Sequence, residues 1–184
     1  MSHVGYSAKG HPQQVRGGET RDDINDRATP AKLFATLSAR LGGFTVDVAA
    51  SAANAKCDRY FDAATDGLEQ PWAGERVWCN PPYSSIAPWI RKAWRETPAC
   101  PLIALLLPSN RTEQPWWQTL VEPFRDRAGS VLRSEFLPGR PRFLRPGMDS
   151  PGRDERPPFG CVLLIWSSLV PAIAEHPLFR EGSR

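Results

Sequence analysis

Apolar residues in this chain gather into short runs broken by proline- and glycine-rich stretches, and the spacing within each run predicts its element. "AKLFATLSARL" carries apolar positions at helical spacing directly after Thr29 and Pro30. That predicts a helix with Thr29 as N-cap, Pro30 in its first position and Gly42-Gly43 as its stop. "FTVDVAA" (44–50) predicts a buried strand that runs into a loop of small residues, and "DRYF" (58–61) a second, short strand. "RVWCN" (76–80) reads as a strand ending at a Pro-Pro loop. "SSIAPWIRKAWRE" (84–96) reads as a helix capped by Ser84 or Ser85, with Pro88 in its first turn. "PLIALLLPS" (101–109) is the most apolar strand, and "TEQPWWQTLVEPF" (112–124) a short helix. A strand and a basic loop are expected in 130–145, a loop in 148–158 and a last strand in "FGCVLLIW" (159–166).

Strands alternate with helices through the middle of the chain, and the strands are continuous apolar runs rather than alternating ones. Such runs belong to sheets covered on both faces, so the expected fold is α/β, with a mainly parallel sheet flanked by helices. Ligands of such sheets bind beyond the carboxyl ends of the strands. The loops after Val48, Cys79 and Leu107 are therefore the informative ones. Residues 1–24 are polar and Gly-rich with little periodicity, and read as a flexible arm ahead of a single domain over 25–184.

Composition narrows the class. A chain of 184 residues with 41% hydrophobic content and seven tryptophans supports one folded core. The net charge of +3 is compatible with a nucleic-acid partner without requiring one. Cys57, Cys79, Cys100 and Cys161 form no C-x-x-C pair, and His3, His11 and His176 sit near the ends, so no metal site is expected. No apolar run approaches membrane length, and a cytoplasmic protein with reduced cysteines is expected.

The stretch Asn80-Pro81-Pro82-Tyr83 carries the clearest chemistry. Each proline fixes its own φ and restricts the residue before it, so the loop is stiff. It loses two N–H donors but keeps its carbonyls. The result is an acceptor surface made by the Asn80 side-chain oxygen and the Asn80 and Pro81 carbonyls, with the flat ring of Tyr83 beside it. A planar ring bearing an exocyclic amino group suits that surface. Two acceptors held out of the ring plane draw the nitrogen toward tetrahedral geometry and localise its lone pair for attack on an in-line methyl. This is positioning and electrostatic preorganisation without a strong base.

The segments "TVDVAASAANAKCDRYF", "DGLEQPW" and "VWCNPPYSSIAPWIRKA" closely resemble the phage-encoded DNA N6-adenine methyltransferases, the Dam-like family. The resemblance continues in "LLLPSNRTEQPWW", "PGRPRF" and "PPFGCVLLIW", and covers roughly 28–166. It implies a Rossmann-like, S-adenosylmethionine-dependent methyltransferase of a phage or prophage in a bacterial host. Asn80 and the Pro81 carbonyl would hold N6, with Pro82 stiffening the loop and Tyr83 stacking on the adenine. The base would have to be flipped, because N6 inside a duplex cannot be reached in line. On the cofactor side the resemblance implies Asp47, Ala49, Ala50, Ser51 and Asn54 at the methionine part, with Asp66, Gly67 and Leu68 at the adenine of the cofactor. Phe61 is a further wall for that ring, and Asp62 an alternative contact to the ribose. Thr29-Pro30 resembles the family's N-terminal Thr-Pro, which closes over the cofactor; Arg27 stands where the family often has a Trp.

Between 133 and 145 lie Arg133, Arg140, Arg142 and Arg145 against Glu135, with Phe143 between them. This basic loop and Arg111, just past the most apolar strand, are candidate contacts to double-stranded DNA. Recognition is expected from loops, chiefly 110–130 and 137–158, in a monomer or weak homodimer. The same loop chemistry also suits a protein glutamine amide or cytosine N4, and a non-catalytic DNA-binding relic of the fold is the reading from a different class.

Overall fold

Six segments become the strands of one sheet: β1 (Val46–Asp47), β2 (Arg59–Tyr60), β3 (Arg76–Cys79), β4 (Leu102–Pro108), β5 (Leu132–Phe136) and β6 (Cys161–Trp166). The computed structural model describes residues 28–144 and 159–167. The expected arm 1–24, Arg145 and the loop 148–158 lie outside the described residues. Strand order is β2-β1-β3-β4-β6-β5. The four strands β2, β1, β3 and β4 pair in parallel. β6 runs antiparallel to both β4 and β5.

The sheet is therefore mixed, where apolar runs predicted a mainly parallel one. The reason lies in burial. Every residue of β6 is buried, as is every residue of β4. A strand covered on both faces reads as a continuous apolar run whichever way its neighbour points.

Period-two alternation sorts these side chains into two cores. On one face Val77, Cys79, Ile103, Leu105, Leu107, Val162, Leu164 and Trp166 pack with Trp72, Trp89, Ile90 and Trp117. On the other, Trp78, Leu102, Ala104, Leu106, Leu163 and Ile165 pack with Leu37 and Leu41. Helix α1 (Ala31–Leu41) thus covers one face, and α2 (Ile86–Glu96) with the short α3 (Pro115–Leu120) covers the other. A single-turn 3₁₀ segment, Thr97–Ala99, continues α2. Each fully buried Leu or Ile contributes about 1.5–3 kcal/mol, so β4 is the anchor of both cores.

Helix ends differ in detail from expectation. Pro30, not Thr29, is the N-cap of α1, and no side-chain cap bond is made there. Ser85 precedes α2 without a side-chain cap bond. The helix expected over 112–124 shrinks to the six residues Pro115–Leu120. The far end of α1 is tightly held. Gly42 adopts φ 78°, and its N–H reaches the Ser38 carbonyl. Arg76, at the start of β3, donates from Nε to the Gly43 carbonyl at 2.8 Å and from its guanidinium to the Leu41 carbonyl. Arg40 makes a two-pronged pair with Glu135 at 2.6 and 2.5 Å, tying α1 to β5. Glu135 is thereby engaged away from the arginines of its own segment.

Arg76→Met keeps the aliphatic stem but leaves two helix-end carbonyls without their charged donor. The expected loss is about 1–3 kcal/mol, read as a lower urea midpoint with unchanged slope.

Candidate active site

Adjacent parallel strands deliver their following residues to the same edge of a sheet, and β1 and β3 are such a pair. Val46 lies opposite Val77 and Asp47 opposite Trp78. Beyond Asp47 the Val48 N–H donates to the Trp78 carbonyl at 3.0 Å, so the strands separate only after Val48. At that edge is a small open recess lined by Ala28, Thr29, Asp47, Ala49, Asn54, Lys56, Trp78 and Asn80.

Asp47 is 3% exposed. Its carboxylate accepts the Lys56 N–H at 3.0 Å and the Ala49 N–H at 3.4 Å. Burial pushes its pKa up to about 6, and the Lys56 and Ala49 amides and the Lys56 charge only partly offset that rise. Burial likewise holds the Lys56 ammonium below the usual lysine range, while the Asp47 charge pulls it back up. Asn54 turns inward on its own loop, its Oδ1 accepting the Ser51 N–H at 2.7 Å. Ala50 donates to the Phe61 carbonyl at 3.0 Å, pinning the small-residue loop to the strand that follows it.

Two buried polar atoms here have no hydrogen-bond partner among the described residues: Thr29 Oγ1 and Trp78 Nε1. Their residues are 1% and 0% exposed, and both border the recess. An unpaired buried donor costs about 1–3 kcal/mol, a cost that a polar ligand would remove.

The proline loop is anchored at both ends. The Tyr83 hydroxyl donates to Asn80 Oδ1 at 3.1 Å. Burial raises the phenol well above the usual tyrosine range, so it stays protonated and remains a donor. Arg111 donates to the Tyr83 carbonyl at 2.7 Å, and the Ser85 N–H to the Pro82 carbonyl at 3.0 Å. The half-buried Tyr83 ring meets Phe143 at 6.1 Å and 89°, and Phe159 at 6.0 Å and 62°. Pro81 is buried, and Asn80 lines the recess.

Of the residues singled out from sequence, the structure gathers Thr29, Asp47, Ala49, Asn54 and Asn80 around one space. Pro30, Ala50 and Ser51 flank it in the chain. Asp66, Gly67 and Leu68 do not line it. Asp66 is exposed at φ 49°, and its Oδ1 accepts the Leu68 N–H at 3.0 Å. Gly67 packs so closely that a Cβ there would stand 1.9 Å from the Val48 carbonyl oxygen. Its own carbonyl accepts the Trp72 indole N–H at 2.9 Å. Gly67 therefore fixes the 62–70 loop against the end of β1. Asp62 Oδ1 is engaged by the Ala64 and Thr65 amides at 3.1 and 2.9 Å.

Among the arginines, Arg140 is exposed, Arg133 and Arg142 are half-buried, and Arg111 is held by Tyr83. Trp117 is buried and Trp116 partly so. Ala28, Lys56 and Trp78 line the recess but drew no attention in the sequence. For Trp78 a signal was present: it stands two residues before Asn80 on a strand, hence on the same face. The described residues contain no cluster of three His, Cys, Asp or Glu suited to a metal ion, and no helix long and apolar enough to cross a membrane.

The buried Asp47 sets a pH dependence. Its folded-state pKa, about 6, lies above the ordinary value of 3.8, so the folded state binds this proton more tightly. This group costs nothing below pH 4, and its penalty grows to about 3 kcal/mol by pH 6 and stays there. Asp47→Asn is expected to be about 1–3 kcal/mol more stable than the parent at pH 8 and to lose that advantage near pH 4, as read by urea unfolding at both values.

A family model described as DNA N-6-adenine-methyltransferase (Dam) matches residues 17–143. Among curated proteins, a DNA N-6-adenine-methyltransferase of Escherichia phage T1 is 31% identical over 102 residues. That alignment spans 54% of this chain and 43% of the phage protein, so the chain covers less than half of that relative's length. No solved structure matches.

Proposed function

We propose that this chain, which belongs to the DNA N-6-adenine-methyltransferase (Dam) family, transfers a methyl group from S-adenosylmethionine to N6 of an adenine flipped out of double-stranded DNA. The observation that carries the reading is the recess shared by Asp47 and Asn80 at the carboxyl edge of parallel strands. The strand order of the parallel half, with its ligand side at that edge, supports a Rossmann-like arrangement.

The residues fit the cofactor on grounds of chemistry. A buried carboxylate, a lysine, and two residues whose buried polar atoms have no partner among the described residues border one space, a chemistry that suits a zwitterionic ligand. S-adenosylmethionine, when bound, supplies an electrophilic sulfonium methyl. Asn80 Oδ1 and the Pro81 carbonyl then accept the two N6 hydrogens and concentrate the nitrogen lone pair on one side. With the donor bound, that pair would form the new N–C bond while the S–C electrons stay on sulfur, and the surplus N6 proton would leave to solvent. Asn80 Oδ1 also accepts from the Tyr83 hydroxyl, which holds the amide within the loop. Arg111 keeps the Tyr83 backbone in place while the tyrosine ring stacks on the base.

DNA would contact Arg133, which lies in β5, and Arg140 and Arg142 of the segment that follows it. That charge favours DNA over a protein amide as the guest. A protein of this kind, related to a phage enzyme, would act as a monomer or weak homodimer in the cytoplasm of a bacterial host.

Modification-sensitive sequencing of DNA from cells expressing the protein is expected to show N6-methyladenine in a fixed sequence context. Asn80→Ala is expected to abolish that signal while calorimetry shows nearly unchanged cofactor affinity. A parallel loss of both would place Asn80 in cofactor binding instead. Arg140→Ala with Arg142→Ala is expected to weaken DNA binding and to lower the slope of log affinity against log salt by about 2.

A further inference from the structure

Stacking on a base needs only an aromatic ring, which a phenylalanine at position 83 would supply. This chain carries a phenol there instead, and a hydroxyl taken out of water costs free energy unless it is bonded. The Tyr83 hydroxyl is bonded on two sides. It donates to Asn80 Oδ1 at 3.1 Å, and it shares a hydrogen bond with the Cys161 thiol. Cys161 is the first residue of β6. Because β6 runs antiparallel to β4, with Cys161 opposite Pro108, the start of β6 lies at the sheet edge where β4 ends. The thiol is thereby delivered to the edge that carries the Asn80 loop, buried in a cluster against which Tyr83 packs. The Cys161 carbonyl accepts the Leu137 N–H at 2.9 Å, so the backbone beneath the thiol is fixed.

The direction of these bonds follows from a count of protons. Burial pushes the thiol up to about 12 and holds the phenol well above its ordinary range, so both groups stay protonated. A phenol has one proton to give, and it goes to Asn80. The thiol must then be the donor to the phenol oxygen. The row from S–H to O–H to the amide oxygen has a single polarity. An Asn80 amide turned over would point its NH₂ at the phenol and leave the phenol proton without that acceptor. We propose that Cys161 is a positioning residue for the methyl transfer: through the Tyr83 hydroxyl it keeps the Asn80 amide turned with Oδ1 toward the phenol, so that the acceptor for N6 is set before the base arrives. This rests on the proposed function and adds a group from a distant strand that governs the acceptor loop. It also gives the hydroxyl of Tyr83 a task separate from the stacking of its ring.

The test is steady-state methyl transfer to duplex DNA by the full chain, measured across a double-mutant cycle. Tyr83→Phe keeps the ring and is expected to lower kcat about fivefold, the worth of one hydrogen bond, with KM for DNA nearly unchanged. Cys161→Ala is expected to lower kcat about threefold in the parent and to have no effect in the Tyr83→Phe background. Cys161→Ser keeps a donor and is expected to return kcat to the parent value. Equal loss from Cys161→Ala in both backgrounds would overturn the proposal, because the cysteine would then act by packing alone. A Cys161→Ser variant as slow as Cys161→Ala would overturn it too. An unchanged kcat in Tyr83→Phe would do the same while leaving the methyltransferase reading intact. A parent protein that transfers no methyl group to DNA would remove that reading as well. Should Cys161→Ala fail to fold by circular dichroism, Cys161→Val, which fills the space without a donor, takes its place in the cycle.

Discussion

The parallel pairing of β1 with β3 is the constraint on which the site depends. With Asp47 opposite Trp78, and the Val48 amide on the Trp78 carbonyl, the carboxylate and the Asn80 loop leave the sheet side by side. A slip of one residue would turn Asp47 to the other face and separate it from Asn80. Only two residues of β1 are formally in the strand, so its register is not secured by length. It is secured by neighbours. Phe61 donates to the Asp47 carbonyl at 2.9 Å from the β2 side, and Gly67 lets the following loop close against Val48. Beyond β3, the long and fully buried β4 holds the register of the whole parallel half.

That rigidity sustains a local destabilisation. Asp47 stays buried with its pKa raised, and two polar side chains at the same recess have no partner among the described residues. Each defect costs on the order of 1–3 kcal/mol, comparable with the burial of one large side chain. The two cores on either face of β4 offset this many times over. A site strained in this way is poised for a ligand that supplies the missing charges and donors, since binding then relieves costs already incurred in folding.

Much of this was legible in the sequence, and the failures have physical causes. Every predicted strand is present, because apolar runs bounded by Pro, Gly and Asp mark strands well. The direction of β6 was not legible, since double-sided burial erases the alternation that would have marked an antiparallel neighbour. The Asn80-to-Tyr83 loop was legible because two prolines leave few conformations. Thr29 was read as the cap of α1, yet Pro30 takes that position and no side-chain cap bond is made there. Asp66, which the resemblance places at the adenine of the cofactor, has its carboxylate accepting from the Leu68 amide in a tight turn. Trp78 was hidden because a tryptophan in an apolar strand reads as core. It is core, and its indole nitrogen has no hydrogen-bond partner among the described residues.

Arg111, expected as a contact to DNA, also takes part in the scaffold. Past the end of β4, its guanidinium reaches across to the Tyr83 carbonyl in the loop after β3. Because β3 and β4 pair in parallel, those two loops emerge together, and one charge-assisted bond is enough to couple them. The coupling continues within the loop, from the Tyr83 hydroxyl to Asn80 Oδ1. Movement of the loop after β4 would therefore be felt at the acceptor oxygen. An acceptor surface works by being set before the charge develops, and a loop stiffened by Pro81 and Pro82 alone would still pivot about its ends. Arg111 closes one pivot and the Ser85 amide on the Pro82 carbonyl closes the other. A single guanidinium thus ties the loop after β4 to the loop after β3, so the two are set as one unit.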